Sequence, residues 1–151
     1  MRAFAAFCLT TSLTLAWLVS VPVAADERDA AALAAMERFM TAFNARDIEA
    51  WADTLVYPHV RLASGQVKVY PDRASFIADS PFAALTAREG WHHSAWEDLE
   101  VVQSSADKVH IAVVFARFHE NGERYATYPS LYVVERVGDR WGIRARSSFA
   151  P

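Results

Sequence analysis

The sequence is nearly without cysteine. Its one copy, Cys8, lies in a leading apolar stretch, so from residue 26 onward there is no disulfide, no thiol nucleophile and no thiolate to hold a metal. An excess of positive charge is also missing. The 15 basic and 18 acidic residues give a net charge of −3, or −4 once Arg2 leaves with the first 25 residues. That balance excludes the broad basic surface on which nucleic-acid binding rests. No repeat, low-complexity tract or interdomain linker interrupts residues 26–151, which read as one domain. Ser147-Ser148 has no nucleophile elbow around it and no Asp-His pair placed to activate it, which removes serine hydrolysis. His92 and His93 are adjacent and on a strand point to opposite faces, so a metal set made of His59, one of that pair and Glu97 lacks the spacing of a metal centre. Neither a metal nor a cofactor is expected.

What is present begins with a leader. Arg2 gives a positive start, Ala3 to Val21 is almost continuously apolar, and Val23-Ala24-Ala25 offers small residues before Asp26-Glu27-Arg28-Asp29. The pattern is that of a secretory signal peptide over residues 1–25, cleaved after Ala25, which predicts a periplasmic or secreted protein with no stable membrane anchor after cleavage. An uncleaved anchor is the alternative, although the run is short of the ~20 apolar residues of a spanning helix. An exported domain without disulfides must be held by its core, and 53% hydrophobic residues can supply one.

The following chain predicts helices and then a sheet. Leu33, Met36, Phe39, Met40 and Phe43 form one apolar stripe of a helix over 26–46. Asp47 is placed to cap a second helix carrying Ile48, Trp51 and Leu55, which Pro58 ends. His59–Ala63 and Gln66–Tyr70 read as a small hairpin across Ser64-Gly65. Pro71-Asp72 opens one short helix, and Ser80-Pro81 opens another with a capping serine and a proline in the first turn. A strand from about Trp91 to Gln103 leads into a meander. Its strands run from Val109 to His119, from Tyr125 to Val137 and from Trp141 to Phe149, turning at Asn121-Gly122 and Gly138-Asp139. Both faces of the Val109 strand are apolar, so helices are expected on one face and a second subunit over much of the other.

With Phe43-Asn-Ala-Arg-Asp-Ile-Glu-Ala-Trp at the helix junction and Gly138-Asp-Arg-Trp-Gly-Ile near the end, the chain resembles the nuclear transport factor 2-like superfamily, and within it the small SnoaL-like proteins. The resemblance implies an α+β fold. A cone-shaped half-barrel would pack a long N-terminal helix and short helices on a curved antiparallel sheet around an internal pocket. It also implies a homodimer through the outer sheet face. Ketosteroid isomerases of this fold place their catalytic groups near positions that here are Phe39, Ala63 and Leu131, whose side chains neither donate to an enolate nor remove a proton. The ending Trp141-Gly-Ile-Arg-Ala-Arg-Ser-Ser-Phe is similar to the last strand of the association domain of calcium/calmodulin-dependent kinases, which implies a pocket with arginine in it.

The residues that interrupt the apolar pattern are the site candidates. Arg144 and Arg146 fall on one face of the last strand with Ser148 after them, and two guanidiniums there can grip a carboxylate or phosphate; a bulge near Gly142 would instead turn Ala145 and Ser147 to that face. Cationic surface paired with Glu123 or Glu135 is the alternative. Arg117 breaks an apolar face, either lining a pocket or reaching solvent from the strand end. His59 and Arg61 share a face of the small hairpin. His59 is the expected proton carrier, or else a histidine bonded to backbone after Pro58. Trp96 and Tyr132 line a pocket or belong to the core. The expected function is therefore small-molecule binding, of a polar or anionic organic ligand, with a cofactor-independent isomerisation, dehydration or ring closure if the protein is an enzyme. The alternative is a non-enzymatic homodimeric binding or interaction module whose cavity has no catalytic role.

Overall fold

The computed structural model describes the chain from residue 25 on, so the expected leader and its cleavage lie outside the described residues. Helix α1 (Ala25–Asn44) and the short α2 (Ile48–Asp53) precede β1 (Leu55–Ala63) and β2 (Gln66–Tyr70). Helices α3 (Arg73–Ala78) and α4 (Phe82–Glu89) follow, and then β3 (His93–Ser104), β4 (Lys108–Phe118), β5 (Arg124–Val137) and β6 (Arg140–Ser148). The strands make one curved, unclosed sheet in the order β2-β1-β6-β5-β4-β3. All neighbours are antiparallel except β1 and β6, which run parallel. The fold is the α+β half-barrel that the family resemblance implies.

Helix α1 lies in the concave face because its stripe is apolar. Ala32, Ala35, Met36 and Phe39 are buried against Val109, Ile111, Val113, Tyr132, Val134 and Ile143 of the sheet. Fully burying each large side chain of this kind contributes about 1.5–3 kcal/mol. Asn44 fixes the end of the helix by donating to the Ser94 carbonyl at 2.8 Å and accepting from the Ser94 N–H at 2.9 Å. Asp47 caps α2 by accepting from the Ala50 N–H at 3.0 Å, as expected.

Two local expectations are corrected. Pro58 does not end α2; the helix stops at Asp53, and Pro58 sits inside β1 after a cis Tyr57–Pro58 bond. A proline is accommodated there because the β1–β6 ladder is broken between Leu55 and Val60, where no N–H is needed. At α4 the flanking residue is Pro81, with no side-chain cap, so Ser80 does not cap that helix.

The register of β6 decides what faces inward. On β5, Tyr132 pairs with Arg146 and Val134 pairs with Ile143, with an irregularity between Val133 and Val134. An extra β6 residue is accommodated at Arg144-Ala145, a bulge that changes strand parity. Ile143 and Arg146 therefore both face the helices, and Arg144 does not.

Candidate functional site

The concave face does not fill completely. Between α1, α4 and the sheet lies a cavity of about 340 Å³, within the range of small-molecule sites. Its walls are aromatic, from Phe39, Phe43, Trp51, Phe76, Trp96, Phe115 and Tyr132. Most of the rings meet edge-on or tilted, as with Phe39 and Tyr132 at 5.7 Å and Trp96 and Tyr132 at 5.6 Å between centroids, while Phe39 stacks on Phe43 and Trp96 at 6.5 Å.

Its charges are unbalanced. The cationic side chains Arg61, Lys68, Arg88, Arg117 and Arg146 line it with two carboxylate side chains, Asp79 and Glu89. Each carboxylate holds two donors of the protein on one of its oxygens. One oxygen of Asp79 accepts from Lys68 Nζ and Tyr70 Oη, each at 2.6 Å. The Lys68 bond, followed by the Tyr70 bond, holds the Asp79 carboxyl below its usual range. Burial, and then the Asp79 contact, push the Tyr70 phenol up to about 12. Glu89 pairs with Arg117 at the end of α4 and also accepts from Tyr125 Oη at 3.1 Å. The Arg117 guanidinium lies 5.1 Å from the Tyr128 ring.

Arg146 and Arg61 have no such partner. They are register neighbours across β1 and β6, and among the described residues neither takes part in an ion pair. The Arg146 guanidinium rests 5.4 Å from the Phe39 ring and 5.3 Å from the Trp51 ring, and its buried Nε donates to nothing in the protein. Arg61 donates to Ser64 Oγ at 3.2 Å. Burial, and after it the Arg146 charge, lower the Arg61 pKa. A cation next to a cation, with aromatic rings behind Arg146, is an electrostatic cost that an anion would relieve.

Six of the eight sequence candidates line this cavity: Arg61, Trp96, Arg117, Tyr132, Arg146 and Ser148. The other two do not. The β6 bulge turns Arg144 to the outer face, where it pairs with Glu135 and donates to the Pro58 carbonyl at 3.0 Å. The expectation that Arg144 and Arg146 share a face is thus corrected. His59 is 0% exposed and lies behind the lining, between Tyr70 and Phe76, with Nδ1 3.1 Å from the Ile143 carbonyl. Burial first, and then the Arg146 charge, drive its pKa down to about 3, so the ring is neutral near pH 7. The backbone-bonded alternative describes its position. His92 and His93 do not point apart either: β3 begins at His93, and the two Nδ1 atoms meet at 3.0 Å. Ser148 is tied to Ser130 Oγ at 2.8 Å and to the Ala150 N–H at 3.1 Å.

Sequence reasoning missed Trp51, the Lys68–Asp79–Tyr70 group and Glu89. Trp51 looked like ordinary helix stripe. Only the fold brings β2, the end of α3 and the end of α4 around one space.

Residues 27–149 match a family model described as NTF2-like protein (DUF6841). No curated protein matches the sequence. Among solved structures, a Nostoc punctiforme protein of unknown function with a cystatin-like fold superposes with a TM-score of 0.67 at 11% identity, over 82% of this chain and 90% of its own. A ketosteroid isomerase-like protein from Erwinia carotovora atroseptica gives 0.60 at 24% identity, over 83% and 99%. A Catenulispora acidiphila protein in complex with S-DNPA gives 0.65 at 16% identity, over 82% and 93%. At these identities the likeness is one of fold.

Proposed function

The chain belongs to the NTF2-like family, and from that premise we propose that it binds a small organic molecule carrying an anionic group in the cavity beneath α1. One observation carries the reading. In a chain of net charge −3, the cavity gathers five cationic and two carboxylate side chains, and Arg146 faces it with no ion-pair partner among the described residues. The volume of about 340 Å³ and the aromatic walls suit an apolar body attached to that anion. The Catenulispora relative in complex with S-DNPA supports small-ligand binding as a use of this fold. Arg61, Trp96, Arg117, Tyr132, Arg146 and Ser148 are the proposed contacts.

Binding is favoured over acid/base catalysis on the same geometry. An isomerisation, dehydration or ring closure needs a proton carrier at the ligand. Asp79 and Glu89 are already bonded to neighbouring donors, and His59 is walled off. Native mass spectrometry of the purified protein, followed by calorimetric titration of the retained compound, tests the reading. It stands if an organic acid is retained and Arg146→Gln weakens its binding at least tenfold. It falls if Arg146→Gln binds that acid as wild type does, or if the titrations find no organic acid that binds.

A second reading draws on the outer sheet face, where Leu62, Val67, Val69 and Leu131 are exposed and Phe149 is 82% exposed. Here the protein is a homodimer through that face, and Leu131→Asp would make it monomeric in sedimentation experiments. Export is proposed with either reading. N-terminal sequencing of the periplasmic protein tests it, Asp26 being the expected first residue.

A further inference from the structure

The cavity has a second asymmetry, in hydrogen-bond direction rather than charge. Trp51, Trp96, Arg117 and Arg146 line the cavity, and each carries a nitrogen that bonds to nothing in the protein and lies just beneath the cavity surface: Trp51 Nε1, Trp96 Nε1, Arg117 Nε and Arg146 Nε. Each is a donor only, because indole and guanidinium groups carry no acceptor. The acceptors run the other way. Asp79 and Glu89 each already receive two donors from the protein.

We propose that this cavity selects acceptor-only acids with a flat apolar body, such as aryl carboxylates, and rejects amines and amino acids of the same shape. The proposal rests on the reading of the cavity as an anion site and names the class of anion. A carboxylate satisfies the charge that Arg146 and Arg61 leave uncompensated, and its oxygens accept without having to donate. An ammonium group brings a further charge of the sign that dominates the lining, beside Arg61 and Arg146, which no carboxylate neutralises. A zwitterion carries that charge with it. A site whose polar groups are left unmatched discriminates far more strongly than one that differs only in size. The aromatic walls supply affinity to all such compounds alike, so the direction of hydrogen bonding decides among them.

The test is a matched set titrated by calorimetry at one ionic strength: 2-naphthylacetate, its carboxamide, 2-naphthylethylamine and 2-naphthylalanine. The carboxylate should bind at least about thirty-fold more tightly than the amine and the amino acid, with the carboxamide between. Arg146→Gln should bring the carboxylate down to the carboxamide's level while leaving carboxamide binding within about threefold, a split that general unfolding would not produce. Binding of the amine or amino acid within threefold of the carboxylate overturns the selectivity and leaves the ligand site standing. If no member binds to wild type, both the selectivity and the ligand site fall. Arg146→Met repeats the comparison with a side chain that cannot donate at all.

Discussion

Replacing Arg146 by methionine separates a residue kept for a ligand from one kept for the fold. The guanidinium sits 5.4 Å from Phe39 and 5.3 Å from Trp51, in two cation–π contacts worth about 0.5–2 kcal/mol each. Methionine fills similar space and keeps sulfur–aromatic contacts worth about 0.3–1.5 kcal/mol each. Against that small loss stands the release of a half-buried charge whose desolvation no carboxylate offsets, a penalty of up to several kcal/mol for a deeply buried ion and less for this one. The two effects nearly cancel. Arg146→Met is expected to lie within about 1 kcal/mol of wild type or above it, a melting shift of no more than about 4 °C for a domain of this size. Binding of 2-naphthylacetate should fall at least tenfold in the same preparation. Urea unfolding followed by tryptophan fluorescence, paired with calorimetric titration, reads both quantities. A loss of more than about 2 kcal/mol with an unchanged urea slope would refute the reasoning, since Arg146 would then be part of the packing.

Arg117→Met should behave in the opposite way, costing about 3 kcal/mol in urea unfolding because it strands the mostly buried Glu89; adding Glu89→Gln should recover most of it. Gly142→Ala places a Cβ 2.8 Å from the Thr54 carbonyl oxygen and 3.0 Å from Val56 Cγ2, so a loss of about 1–3 kcal/mol and a lower melting temperature are expected. His59 gives a pH signature. Its folded pKa of about 3 lies below the ordinary 6.5, so its stabilisation is complete above pH 6.5 and declines by about 1.4 kcal/mol per unit as the pH falls toward 3. His59→Asn should remove that slope when urea curves at pH 7 and pH 5 are compared.

Much of the architecture was legible because it follows local rules. The α1 stripe, the Asp47 cap, and the Gly122 and Gly138 turns, both at positive φ, each depend on a few adjacent residues. What could not be read depends on partners distant in sequence. Strand alternation puts Arg144 and Arg146 on one face, and a bulge near Gly142 would move the two together; that the extra residue falls between them depends on the pairing opposite Val133. Pro58 looked like a helix stop because the break in the β1–β6 ladder that tolerates it lies in the pairing with another strand. His59 looked available because its burial comes from Tyr70 and Phe76, which the hairpin and α3 fold over it.

Composition also misleads about the cavity, for a reason the pairing explains. An acidic chain can present a cationic interior if its acids there are spent on particular neighbours. Asp79 is held by Lys68 and Tyr70, and Glu89 by Arg117 and Tyr125. Outside, the same residue type serves as a clasp: Arg144, two positions from Arg146, has Glu135 and the Pro58 carbonyl. The bulge between them gives one arginine a carboxylate and the other only rings. Because the rings of Phe39 and Trp51 also keep high-dielectric solvent from the back of Arg146, its field toward the cavity is less screened than that of any surface arginine. The potential a ligand meets is thus set by which charges the fold leaves without partners, and net charge carries no information about it.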